Sequence, residues 1–234
     1  MKKKSLLLIL LIITPFFMSA QQTAGDFFET ISNKYAEIEA YTASFKFTTG
    51  IRGNIIQEGT IYYKSPNLLR MDYTNPENQV FCVNSRKLSI YVPAHGTLFE
   101  QTINSEEDAL TLETSGFTSQ GLALFNSNYS ISYVNGPNLE VLDDDNPEEV
   151  YKLRLVPRKF SEPFSRIIMS ITSDGFIRRL VSTTRTDEEI ILDIVDIDVN
   201  ANIDSKYFDY DAPPTATTLT DFLFTNEEVK EGDE

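Results

Sequence analysis

One histidine, one cysteine and two groups of aspartates are the side chains in this sequence whose types and spacing could do chemistry. His95 stands in Pro93-Ala94-His95-Gly96, a turn between two strand patterns. A Ser/His/Asp triad would have to use it, yet no G-x-S-x-G elbow occurs. Cys82 is the single cysteine, so it forms no internal disulfide. It lies within an apolar strand pattern and reads as a small buried hydrophobe rather than a reactive thiol. Asp143, Asp144 and Asp145 cluster carboxylates, but without D-x-[DN]-x-[DN]-G spacing or a bidentate Glu at the right distance. Asp193, Asp196 and Asp198 fall on a strand, where the last two share a face, and read as a solvated acidic edge. There is no glycine-rich phosphate loop. The expectation is a protein without catalytic, metal or cofactor residues, one that is not an enzyme and acts by binding.

The charge balance narrows the partners. With 35 acidic and 20 basic residues, the chain carries a formal charge of −15. Such a charge repels phosphate backbones and anionic lipid surfaces, which argues against nucleic acid and against electrostatic docking on membranes. The N-terminus points to a compartment. Lys2, Lys3 and Lys4 precede an apolar run from Leu6 to Met18, followed by Ser19-Ala20. This is the layout of a cleavable signal peptide over residues 1–20. The run is too short, and too broken by Thr14-Pro15, for a spanning helix, which needs about 20 apolar residues. Cleavage after Ala20 takes the charge from −15 to −18 by removing the three lysines. A soluble periplasmic protein is expected, monomeric, with one domain over 21–214 and a disordered acidic tail over 215–234.

The elements follow from periodicity. Phe28, Ile31, Tyr35 and Ile38 recur at helical spacing after Asp26, whose carboxylate is placed to cap the helix start with Glu29 reaching back. After Tyr41 the period becomes two. Ala43, Phe45 and Phe47 alternate with polar residues, and the same pattern returns through Ile61 and Tyr63, Leu69 to Tyr73, Val80 to Val83, Leu88 to Val92 and Leu98 to Ile103. Proline, asparagine and glycine turns separate these runs at intervals near ten residues, which indicates an antiparallel meander. Residues 105–127 break the rhythm and predict one or two short helices. The strand pattern resumes from Tyr129, with a strong hairpin signal at Asp174-Gly175. Between Ile190 and Val199 the apolar phase slips by one, the mark of a β-bulge or of burial on both faces. A sheet of this size needs a cover for its apolar face, and two short helices are scant cover. An apolar cavity is the consequence.

The stretch from Phe45 to Gln101 carries a resemblance. It reads F-K-F, G-T-I-Y-Y-K-S-P-N-L-L-R-M-D-Y, N-P-E-N-Q-V, L-S-I-Y-V-P and F-E-Q. With the later L-V-P, I-T-S-D-G-F-I-R-R-L and F-D-Y-D-A-P-P, this ordered set resembles the LolA-like outer-membrane lipoprotein carrier family. Many members have Arg directly before the first of these prolines; here Ser65 stands there, with Lys64 before it. The resemblance implies a mainly β fold with short helices, in which a curved antiparallel sheet of the LolA/LppX type forms an incomplete, half-open barrel lidded by helices. The implied function is to bind lipoprotein acyl chains and shuttle them from the inner to the outer membrane. The implied partners are acylated lipoproteins or another amphiphile, an inner-membrane lipoprotein-releasing ABC transporter and an outer-membrane acceptor. The alternative is a lipid or lipoprotein sensor of the RseB type, or a carrier of another amphiphile; fold alone does not decide. On this reading the cavity is lined by Phe45, Phe47, Ile61, Tyr63, Leu69, Met71, Tyr73, Leu88, Ile90 and Val92, and the lid carries Leu110, Leu112, Leu122 and Phe125. Met71→Glu is accordingly expected to block lipid binding while sparing the fold.

Overall fold

The computed structural model describes residues 22–50, 55–103 and 118–222. The signal segment, Leu110 and Leu112 lie outside them. Helix α1 (Ala24–Ala36) starts earlier than the sequence pattern suggests. Thr23 takes the extended cap conformation, its hydroxyl accepts from the Asp26 amide at 3.1 Å, and the Asp26 carboxylate accepts from the Thr23 amide at 3.4 Å. Asp26 is thus the third residue of a capping box and not the cap. Phe28, Ile31 and Tyr35 form the buried stripe, and Ile38 falls beyond the helix end.

Strands β1 (Ala40–Thr49), β2 (Ile55–Lys64), β3 (Leu68–Asn75), β4 (Val80–Val83), β5 (Lys87–Val92) and β6 (Thr97–Thr102) form a continuous antiparallel meander. Helix α2 (Ser119–Asn128), capped by the Thr118 hydroxyl, is the described part of the mid-chain interruption. It leads into β7 (Tyr129–Tyr133), β8 (Glu140–Val141), β9 (Glu149–Pro157), β10 (Phe164–Thr172), β11 (Ile177–Thr184) and β12 (Glu189–Asp198). Strand β12 pairs with β1 and joins the two halves into one sheet, ordered β6-β5-β4-β3-β2-β1-β12-β11-β10-β9-β7, with β8 also on β9. The ends do not meet, so the sheet curves without closing. The phase slip in β12 is a bulge: the register jumps from Thr42–Asp198 to Ser44–Val195, and Asp196 takes a left-handed φ of 55°. Among the described residues no helix is long and apolar enough to cross a membrane.

A final strand, β13 (Thr217–Thr220), lies parallel to β6 and becomes the sheet's outer edge. The expected tail therefore does not begin at residue 215. The β-favouring run Thr217-Thr218-Leu219-Thr220 satisfies backbone groups that the β6 edge would leave unpaired.

The two faces of the sheet are covered at different places. On the concave face, α1 and α2 lie over the β7–β11 side: the Phe27 ring is 4.9 Å from Tyr151 and 6.0 Å from Tyr133, Phe125 is 5.5 Å from Tyr129, and the Tyr35 hydroxyl accepts from the Ile177 amide at 3.0 Å. On the convex face a strap of residues 200–216 covers β2–β6 and builds a second core from Val80, Cys82, Tyr91, Leu98 and Phe208. Its anchors are polar. The Lys64 ammonium donates to the Ile203 carbonyl at 2.8 Å, and Arg70 donates to the Tyr207 carbonyl at 2.8 Å while pairing with Asp72 at 2.7 Å. The Tyr207 hydroxyl donates to the same Asp72. The two helices are therefore not the only cover that the sheet has, as the sequence pattern implied. Cys82 is buried here, not in the main core, and burial pushes its thiol up to about 11.

Tyr35 and Tyr41 are buried beside one another, ring centroids 6.4 Å apart, and burial raises both phenols above the ordinary value near 10. Below pH 10 they are neutral in folded and unfolded chains alike. Above it the unfolded phenols ionise while the folded ones keep their protons, so stability falls as pH rises. Each contributes up to about 1.4 kcal/mol per pH unit, and together they remove roughly 2–3 kcal/mol by pH 11. Urea midpoints measured from pH 9 to pH 11 should fall accordingly; a flat profile contradicts the burial of these hydroxyls.

Candidate functional site

The hairpin registers place all ten cavity residues expected from the sequence on the concave face. Period-two alternation dictates this once the strands pair without a slip between β3 and β6. They do not all see the same surroundings. Tyr63, Leu69 and Leu88 belong to a row that runs Tyr41–Tyr63–Leu69–Val83–Leu88–Gln101 across six strands and is buried at every position. Phe45, Ile61 and Met71 are buried too, whereas Phe47, Tyr73, Ile90 and Val92 are half-buried. Of the two lid residues described, Leu122 and Phe125 are both buried in the main core.

The middle row runs Ala43–Ile61–Met71–Phe81–Ile90–Phe99–Leu219, each residue paired in register with the next, from β1 to β13. Exposure grows along it. Ile61 and Met71 are 0% and 4% exposed, Phe81, Ile90 and Phe99 are half-buried, and Leu219 is 48% exposed. Neighbouring strands stand about 4.8 Å apart, so the partly exposed stretch from Phe81 to Leu219 spans about 14 Å. Phe81, Phe99 and Leu219 escaped the sequence reading. Their signal was the pairing itself, since each sits opposite a residue already assigned to the face.

Next to this row the face carries a glycine. Gly59 pairs with Phe45 on one side and Tyr73 on the other, and their rings meet across it at 5.0 Å, edge to face. A Cβ at Gly59 would stand 2.1 Å from the Asp72 carbonyl oxygen and 2.8 Å from the Tyr73 Cα. The backbones approach here more closely than a side chain permits, and the flanking aromatics fill the space that glycine leaves.

The polar side chains named from the sequence serve other purposes. His95 ends a single 3-10 turn between β5 and β6. Asp143 accepts from Arg179 and from the amides of Asp145 and Asn146, and the Arg179 hydrogen bond holds its carboxyl below the usual range. Asp193 accepts from Arg178 at 2.9 Å and from Arg179 at 2.7 Å on the convex face. Both arginines point the same way because a register shift between Ser170–Arg179 and Ile171–Ile177 inserts Arg178 as an extra residue. Asp198 accepts from the Asn200 amide. Among the described residues no three of His, Cys, Asp or Glu gather as metal ligands. Among the described residues, the partly exposed end of the row offers apolar contact, and its chemistry is desolvation.

A family model described as outer membrane lipoprotein carrier protein LolA matches residues 36–211. No curated protein matches the chain by sequence. Among solved structures it is similar to an uncharacterized conserved protein from Thermus thermophilus, with a TM-score of 0.54 at 11% identity over 82% of this chain and 96% of that one. It is similar to a chain of the Pseudomonas aeruginosa MucA/MucB complex, with a TM-score of 0.50 at 10% identity over 84% of this chain and 63% of that one. A LolA superfamily protein from Nitrosomonas europaea gives a TM-score of 0.40 at 13% identity, over 80% of this chain and 97% of that one. At these identities the likeness is one of fold.

Proposed function

The chain belongs to the family of the outer membrane lipoprotein carrier protein LolA, and we propose that it is a carrier that holds the acyl chains of a lipoprotein, or of a comparable amphiphile, on the partly exposed part of its concave face. Members of this family are binding and carrier proteins. The observation that carries the reading is the apolar row from Phe81 to Leu219, which starts packed against the main core at Phe81 and Ile90 and grows more exposed toward Leu219. A buried methylene contributes about 0.8 kcal/mol, so a chain of roughly ten methylenes laid along this row gains several kcal/mol with no specific polar contact. Phe47, Tyr73 and Val92 widen the same surface. In this reading residues 1–20 direct export to the periplasm, an inner-membrane lipoprotein-releasing ABC transporter supplies the cargo, and an outer-membrane acceptor takes it.

Native mass spectrometry of the protein, as exported and processed by an expressing cell, tests this. The expected result is a bound amphiphile that solvent extraction removes and a fluorescent acyl probe replaces. Protein that carries no amphiphile and, after extraction, takes up no probe overturns the reading. Protein that keeps its lipid in the presence of outer-membrane vesicles is a sensor and not a carrier.

A further inference from the structure

Strand β13 lies beyond residue 211, where the family match ends. We infer that β13 is a wall of the ligand site, with Leu219 and Phe222 as side chains that contact the far end of a bound acyl chain. The inference rests on the acyl-binding reading above and specifies which part of this chain sets the length of chain it accepts.

Three observations carry it. Paired residues in neighbouring strands point to the same face, and Leu219 pairs with Phe99, the last concave residue of the row on β6. Leu219 thus extends the apolar row by one strand beyond the meander. Second, Phe222 turns back over the same residue. Asp221 takes a left-handed φ of 53°, its amide donates to the Glu100 carbonyl at 2.9 Å, and the Phe222 ring comes to rest 5.5 Å from that of Phe99, edge to face. Third, these two side chains remain 48% and 37% exposed although they border a half-buried apolar face. An edge strand with ordinary duties carries polar or charged residues outward. Here Leu219 on the strand and Phe222 just after it turn large apolar side chains toward the row, while Thr218 and Thr220 take the other phase.

The strand closes the β6 edge at both ends of its ladder. The Thr217 amide donates to the Gly96 carbonyl at 2.8 Å, and the Gln101 amide group lies 3.5 Å from the Asp221 carboxylate. With β13 in place, the partly exposed row is about 14 Å long; without it, the row ends one strand earlier, about 5 Å shorter. A chain that reaches only to Ile90 and Phe99 is indifferent to the difference, and a longer chain is not.

The test is a series of fluorescent fatty acids of increasing chain length, titrated into the extracted full-length protein and into Leu219→Ser/Phe222→Ser. Both substitutions fall on exposed positions, so the melting temperature should hold. The expected result is near-equal affinity of the two proteins for the shortest probe that binds, and a loss of about tenfold or more for the longest. Thr218→Ala, on the opposite phase of the same strand, should bind the whole series like the unmodified protein. An equal loss at every length, or the same loss in Thr218→Ala, overturns the inference, because either result means that the strand acts only by bracing β6. An unmodified protein that binds no probe of any length overturns the acyl-binding reading itself, and no variant is needed to see it.

Discussion

Met71→Glu should unfold the protein or leave it barely stable, whereas Ile90→Glu, two strands further along the same row, should leave it folded and unable to bind an acyl probe. The sequence alone assigns both residues to one cavity wall. The structure separates them: Met71 is 4% exposed between Ile61 and Phe81, and Ile90 is half-buried between Phe81 and Phe99. A carboxylate at Met71 would be buried away from solvent. The cost is several kcal/mol, against a total stability of about 5–15 kcal/mol. At about 5 kcal/mol the melting temperature falls by roughly 10–20 °C for a chain of this size. The sign of the pH dependence is a second check. A buried glutamate has a folded pKa above its unfolded one, so the damage is small below about pH 4 and grows as pH rises through the unfolded value. At Ile90 the carboxylate keeps part of its hydration in the empty protein, and stability falls little. It must lose that hydration when an acyl chain lies over it, and affinity falls at least about tenfold. A Met71→Glu protein with a near-native melting temperature would falsify the placement of Met71 in the sealed core. Unaltered probe binding by Ile90→Glu would remove the row from the site.

Gly59→Ala should destabilise by about 3 kcal/mol, lowering the melting temperature by roughly 6–12 °C. The sign is the informative part. Alanine for glycine within a strand ordinarily stabilises by a fraction of a kcal/mol, because it restricts the unfolded chain. Here the added carbon meets backbone atoms of β3 at 2.1 Å and 2.8 Å, and no side-chain rotation relieves that. Strand β3 has to move away from β2, and the edge-to-face contact between Phe45 and Tyr73 opens with it. Thermal unfolding decides the matter: an alanine variant as stable as the unmodified protein means that the strands are not this close.

Much of the fold was legible because period-two alternation and turn chemistry agree from Tyr41 to Asp198. The Asp174-Gly175 hairpin forms with Gly175 at a φ of 85°, and the phase slip after Ile194 is the bulge at Asp196. The stripe of Phe28, Ile31 and Tyr35 lies against the core as its spacing requires. Three things were not legible, each for a physical reason. The cap at Thr23 competes with Asp26 for the same role, and only backbone angles decide between them. The second core was hidden because Tyr62, Leu68, Cys82, Tyr91 and Leu98 occupy the phase that a one-sided sheet turns to solvent. The continuous apolar run Val80-Phe81-Cys82-Val83 was the available hint of burial on both faces. The pairing of β13 with β6 joins segments far apart in the chain through four residues, and no local pattern announces it. At the candidate site the sequence identified the face but not the gradient along it. Exposure along the face depends on tertiary packing, which no local pattern encodes.

The strap of residues 200–216 has a consequence for how such a site can run through repeated cycles. A binding face that must alternate between loaded and empty cannot also be the sole source of cohesion for the strands that bear it. If it were, every release would threaten the fold and every cargo would be held too tightly to part with. Phe208 and its neighbours supply that cohesion from behind, to the same β2–β6 strands whose front carries the row from Phe81 outward. On the proposed reading, the empty state would thus keep a stable basin of its own, and the free energy of loading would be left to set residence time.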